Sequence, residues 1–441
     1  MKNILMRKNI DEDRTTFSWV IDGGVCKLIK ATDYFERQEL IDLTKDLIRI
    51  PSHTGVKTQE KEVAEYMLQF FKKHNIQAHL QHVENDRSNV IAFIKGKKTP
   101  DGKSLMLNGH IDTEHPDDMN EALFGAEMTN PDIFDGELKE GSIWGRGAVD
   151  MKGPVASMMM TLVVLKRAQQ DLDGDIVFSG VVGEETDSKG MEHLIACEDC
   201  LKQHGISLDG AVVGEPTDFK YVASHRGLVW LDIKIKGKGA HSGKPHMGVN
   251  AIEKAVEYLN KVKEELYPKL KDRQHDFMGT SVMNIGTIKG GTGQSTVAEE
   301  AVINLDRRYV EGETLQSVIQ EYQDIADEMK RNDPTFDIEI SRTPSSVSVL
   351  PHPPLNTGLD ESIVVAVKEA IEDVIGYEPE LKTEYGWTDG ALISKYMKVP
   401  TVVVGPGDIA LAHTSEERIG IDDLVRGVEL YTQIADRFCV F

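Results

Sequence analysis

Five apolar, strand-like runs in this chain each lead to metal-type side chains at or just beyond the strand's end. The runs lead from Leu105 to His110 and Asp112, from Ile143 to Asp150, from Ile176 to Glu184 and Glu185, and from Ala211 to Glu215. The last starts at Val402 and passes through Gly405-Pro406-Gly407 to His413. In an open α/β sheet, ligands bind beyond the carboxyl ends of the strands. The recurrence therefore predicts one site gathered from distant sequence. Two His and several carboxylates, with no Cys among them, are the donors a hydrolytic zinc pair uses.

A chain of 441 residues is too long for one ordinary core, so two or more domains are expected. A net charge of −23 argues against a nucleic-acid partner and against an anionic membrane surface. Cys26, Cys197, Cys200 and Cys439 make no disulfide framework for a chain of this size. The first residues lack the apolar core of a signal peptide, and no apolar run is read as reaching the ~20 residues a membrane helix needs. A cytoplasmic protein is the simplest reading.

Strand-like and helical patterns alternate as in a mostly parallel α/β sheet. Helices are expected over 34–50, stopped by Pro51, and over 59–73, 155–170 and 361–375. Strands are expected over 90–95, 105–109, 176–183 and 399–404. Near Gly227 the pattern changes to β-α-β-β-α-β, the order of a ferredoxin-like unit. The expected division is a catalytic domain over 1–226 and 344–441 with an insert over 227–343. Residues 1–33 form an extension of unassigned role, with a hairpin predicted around Asp22-Gly23-Gly24.

Each candidate has a plainer reading. His110 and Asp112 share one face of a strand, where the carboxylate can accept the other ring N–H of a metal-bound His; a solvated turn is the alternative. Asp150 can bridge two metals, or cap the helix that follows. Adjacent Glu184 and Glu185 carry like charge that a nearby cation would relieve, one as ligand and one as proton acceptor. His193, Cys197, Cys200 and His204 fall along one helical face; a structural zinc is one reading and an ordinary helix face the other, since four ligands on a straight helix cannot form a tetrahedron.

From about Tyr34 onward the chain resembles the di-zinc aminoacylase and carboxypeptidase metallohydrolases, which include acetylornithine deacetylase, succinyl-diaminopimelate desuccinylase and glutamate carboxypeptidase. The resemblance rests on Gly109-His110-Ile111-Asp112-Thr113, residues 145–153, Glu184-Glu185, Gly214-Glu215-Pro216-Thr217, and 405–413. It implies one zinc on His110 and Glu215, another on Glu185 and His413, and Asp150 bridging them. It further implies Glu184 as general base and acid, with Asp112 orienting His110. In the insert, a lid and dimerisation domain by the same resemblance, His241 would stabilise the oxyanion, often in the partner subunit's site. Arg308 would clamp the substrate carboxylate. The loop 290–297 departs from the family pattern, with Ser295 where relatives usually have Asn and Ala298 where Pro is common. Gly291 and Ser295 are its candidate substrate contacts.

The combined expectation is an α/β, zinc-peptidase-like catalytic domain carrying a ferredoxin-like insert. It would be a homodimeric amidohydrolase with two zinc ions per subunit, for which cobalt may substitute. The expected substrate is an N-acyl amino acid. The alternatives are a short peptide cleaved by a dipeptidase or carboxypeptidase, and a metal-binding relative without catalysis.

Overall fold

A computed structural model describes residues 4–11, 14–21, 24–27, 29–115, 136–139, 141–197, 201–344 and 349–439. Its centre is a six-stranded sheet in the order Thr401–Val403, Gly210–Val213, Leu105–His110, Ile176–Val181, Arg87–Ile94, Gln77–Glu84. The first four strands run parallel, so their carboxyl ends meet at one edge. The last two form an antiparallel hairpin.

Alternate residues of these strands enter opposite cores, as the two-residue period of a strand requires. Leu105, Leu107, Ile176 and Phe178 pack on one face with the Gly153–Ala168 and Ile421–Cys439 helices. Met106, Val177, Ala211 and Val213 pack on the other. Burial explains the near-continuous apolar runs. It also corrects one expectation: the stretch Ala148–Ala168 is 21 residues long and apolar enough to cross a membrane, yet it is wholly buried in this core.

Two further expectations are corrected. The strand over 90–95 pairs antiparallel with Gln77–Glu84, whose mixed polar sequence carries little strand signal. Ser142–Trp144, which leads toward Asp150, is not in the central sheet; it pairs with Glu137–Lys139 and Arg418–Gly420. The strands of the predicted amino-terminal hairpin, Arg14–Ile21 and Gly24–Lys27, do pair antiparallel, and Ile4–Asp11 adds a third strand.

Between Gly227 and Arg342 the chain forms β-α-β-β-α-β. Its antiparallel sheet runs in the order Val282–Gly290, Glu300–Tyr309, Gly227–Lys236, Asp337–Arg342. The Ala251–Asp272 and Leu315–Asn332 helices cover one face through Leu231, Ile233, Ile303, Tyr258 and Tyr322. The first helix continues through Pro268. Arg307 and Arg308 diverge across this sheet. Arg307 is fully buried and pairs with Glu313, whereas Arg308 turns toward the catalytic part of the chain.

Candidate metal centre and active-site cavity

His110 closes the strand Leu105–His110 and is buried. Its Nδ1 meets the backbone carbonyl of Asp112 at 3.0 Å, which leaves Nε2 to face Asp150 Oδ1 at 3.0 Å and Glu215 Oε1 at 3.6 Å. On the other side of Asp150, Oδ2 lies 3.2 Å from Nε2 of His413, which is also 3.3 Å from Glu185 Oε1. Each Asp150 oxygen thus faces a different imidazole. His413 sits in the left-handed backbone region, φ 59°, beyond the Gly405-Pro406-Gly407 turn.

The carboxylates are crowded and largely buried. Burial pushes Glu184 and Glu215 well above the usual range, reinforced respectively by the charges of Glu215 and Asp150. Burial and Asp150 raise Glu185 to about 7. Burial opposes protonation of His110, but the Asp150 hydrogen bond and the charges of Glu215 and Asp112 hold it well above its ordinary value. Glu185 Oε1 is buried and has no hydrogen-bond partner. A pair of divalent cations fits these donors: one histidine nitrogen and carboxylate oxygens on each side, a shared Asp150, and an orphaned oxygen facing His413.

Two buried carboxylates hold the ligand-bearing loops. Asp112 accepts from the backbone N–H groups of Gly183 (2.9 Å), Glu184 (3.2 Å) and Glu185 (3.1 Å). Its carboxylate stays 3.6 Å from His110 Nδ1, so the ring is oriented by Asp112's carbonyl and not, as the sequence suggested, by its side chain. Glu417 pairs with buried Arg146 at 2.7 Å and accepts from the backbone N–H groups of Val149 and Asp150, each at 3.2 Å. Asp150 therefore does not cap the following helix; its backbone is non-helical and its carboxylate faces the histidines.

The cluster opens into a cavity of about 300 Å³ whose walls include Glu184 and, from the insert, Trp230, Arg308 and Arg342. His352 and Trp387, stacked at 4.3 Å, line it as well. Arg308 is held by Asp306 through Nε and Nη2, each at 2.8 Å. His241, Ser295 and Gly291 do not line this cavity. All three are exposed on the insert, where Ser242 N donates to Ser295 O at 3.0 Å. The His193–Cys197–Cys200–His204 helix face is also corrected: the Lys189–Ala196 helix ends before Cys197, and Cys200 lies outside the described residues. His204 packs on Phe93 at 4.8 Å.

Residues 106–437 match the peptidase family M20/M25/M40. The chain belongs to that family. M20 membership makes it a metal-binding hydrolase of amide bonds. A probable succinyl-diaminopimelate desuccinylase from Staphylococcus epidermidis is 25% identical over 422 residues, covering 90% of this chain and 97% of the relative. An M20 family metallo-carboxypeptidase from Sulfolobus solfataricus superposes with a TM-score of 0.74 at 16% identity, over 91% of this chain and 100% of its own. A dinuclear metal-binding M20 peptidase from Bacillus subtilis gives 0.64 at 18% identity, over 90% and 97%.

Sequence reasoning missed Glu114, Trp387 and His352 in the cavity wall, and Glu417 behind it. Glu114 does follow a strand end, two residues past Asp112, and that signal could have found it; Trp387, His352 and Glu417 stand in no such pattern. Behind the wall, His225 is fully buried, with Nε2 3.1 Å from Thr388 Oγ1. Burial lowers both His225 and His352 to about 4. A histidine depressed in the fold binds its proton first in the unfolded chain, so acid favours unfolding between about pH 6.5 and 4. His225→Asn should therefore lose less stability than wild type across that window, by on the order of 3 kcal/mol for a shift of this size. Denaturant titrations at pH 7 and pH 4.5 check it, and parallel pH slopes would contradict the assignment.

Proposed function

We propose that this M20 hydrolase removes the acyl group from an N-acyl amino acid, using two zinc ions per subunit, with cobalt able to substitute. The observation that carries the reading is the shared cavity. Glu184, the donor cluster and Arg308 line one space, so a proton acceptor, a cation pair and a carboxylate clamp address the same small molecule. A relative named as a desuccinylase aligns along nine-tenths of the chain and supports the deacylase choice. Cleavage of a short peptide at its carboxyl end is the second reading, because Arg308 asks only for a free carboxylate beyond the scissile bond.

His110, Glu215 and Asp150 would hold one ion, and Glu185, His413 and Asp150 the other. When bound, the pair makes water acidic enough to attack at neutral pH and polarises the scissile carbonyl. Glu184 takes a proton from the attacking water. It returns that proton to the leaving nitrogen as the C–N bond breaks, giving a free amine and a carboxylate. The Asp112 carboxylate keeps Glu184 and Glu185 in register by holding their backbone. Asp306 presents Arg308 with Nη1 outside their pairing, directed to the substrate carboxylate.

His241 enters this scheme through a second copy of the chain. The edge strand Val282–Gly290 is largely exposed, and Ile252, Val256 and Ile288 are exposed apolar side chains on the same unit. An exposed edge beside apolar surface is a surface that pairs with another chain. This supports a homodimer in which His241, with Ser295 and Gly291 on the neighbouring loop, approaches the partner's cavity and stabilises the oxyanion.

Glu184→Gln should retain two metal ions per chain while kcat falls by ~10²–10⁴-fold; metal analysis beside steady-state kinetics checks both halves, and near-normal turnover would assign the proton transfers elsewhere. Arg308→Ala should raise KM about tenfold to a hundredfold for substrates with a free carboxylate, the loss expected for a charge-assisted hydrogen bond. The corresponding carboxamides should be affected much less, and equal defects on both would remove Arg308 from this role. Mixed dimers of Glu184→Gln and His241→Ala chains should regain activity, because one of their two sites holds both intact groups. A verified heterodimer without recovery would rule out action across the subunits.

A further inference from the structure

The two halves of the donor cluster are unequal. Around His110 the ligand atoms are one imidazole nitrogen and oxygens of Asp150 and Glu215, all buried. Around His413 a carboxylate that the sequence reading passed over joins in. Ligand atoms of Glu114, Glu185 and His413 all lie within 4.8 Å of one another. Asp150 Oδ2, 3.2 Å from His413 Nε2, adds a third carboxylate to that side. The Glu185 side chain is nine-tenths buried, and its Oε1, 3.3 Å from His413 Nε2, has no hydrogen-bond partner. That orphaned oxygen points to a cation at this spot independently of Glu114. Glu114 lines the cavity, and its own Oε2 accepts from the backbone N–H of His115 at 3.2 Å.

We propose that Glu114 is a further ligand of the ion held by Glu185 and His413, so that this position offers one nitrogen and three carboxylates while the other offers one nitrogen and two. The inference rests on the reading of the cluster as a two-cation site. Its consequence follows from coordination number. A tetrahedral ion with three protein ligands keeps one place open for substrate or water, and a fourth protein ligand closes it. An ion on the His413 side must therefore expand beyond four ligands to stay accessible. A given site binds zinc more tightly than manganese, but added carboxylates narrow that gap because they suit ions that readily take more ligands. The His413 position thus discriminates less against manganese than the His110 position does.

The test compares wild type, Glu114→Gln and His413→Ala by equilibrium dialysis against manganese alone and zinc alone. Visible spectra of the cobalt-loaded proteins are recorded in parallel. Wild type is expected to bind two ions. Glu114→Gln should keep the affinity of the His110 position, which also shows that it is folded. Manganese affinity at the His413 position, identified as the one that His413→Ala loses, should fall at least tenfold, with a smaller loss for zinc. Its cobalt absorption should intensify as one ion drops to fewer ligands. If Glu114→Gln matches wild type in stoichiometry, manganese-to-zinc preference and cobalt spectrum, Glu114 is not a ligand. The same metal behaviour with a raised KM for substrates bearing a free ammonium group also overturns the proposal, and makes Glu114 a substrate contact. Failure of the underlying reading looks different: wild type would bind fewer than two ions, or His413→Ala would keep both.

Discussion

Each oxygen of the Asp150 carboxylate faces a different histidine, and the site is organised around that division. His110 arrives at the end of a central strand, and His413 from a turn near the carboxyl terminus. Asp150 stands between them at 3.0 and 3.2 Å. Without cations, Glu184, Glu185 and Glu215 would crowd their charges into a largely buried pocket, which is costly. The histidines alone hold Asp150 far below its ordinary range against the opposing effect of burial.

A carboxylate in that position must itself be held. Glu417 does so through the backbone N–H groups of Val149 and Asp150, and its own charge is balanced by Arg146. Both side chains of this pair are essentially inaccessible, at 1% and 0%. A buried pair adds little net stability, but removing one partner costs about 3–5 kcal/mol. Because Glu417 lies on the turn just after His413, one segment fixes both sides of the shared ligand. Asp112 plays the matching part for Glu184 and Glu185. Two carboxylates behind the site therefore set the geometry of those that face the cavity.

Much of this was legible in the chain. The apolar runs ending in His110, Glu185 and Glu215 are strands of one sheet, and their parallel ends converge, as the alternation with helices implied. The β-α-β-β-α-β order of the insert was readable from a change of period near Gly227. What stayed hidden lies in contacts between distant segments. Glu417 bonds the backbone at Asp150 across 267 residues, and no local pattern announces such a partner. That the strand leading toward Asp150 belongs to a small antiparallel sheet stayed hidden, because Ser142–Trp144 is too short to reveal which sheet it joins. Motif resemblance named His241, Ser295 and Gly291, but the two neighbouring loops carrying them lie outside this chain's own cavity. The cavity wall from Trp387 and His352 is built from loops, where periodicity carries no signal.

Asp150 would make the two cation positions depend on each other. Metal content after exhaustive dialysis of an Asp150→Asn variant tests it most directly. The variant keeps the size of the side chain and gives up the charge that both positions share. The account predicts that wild type retains two ions and that the variant loses affinity for both together, with its fold intact by circular dichroism. A variant that still binds one ion as tightly as wild type would show the positions to be independent, and would contradict the account.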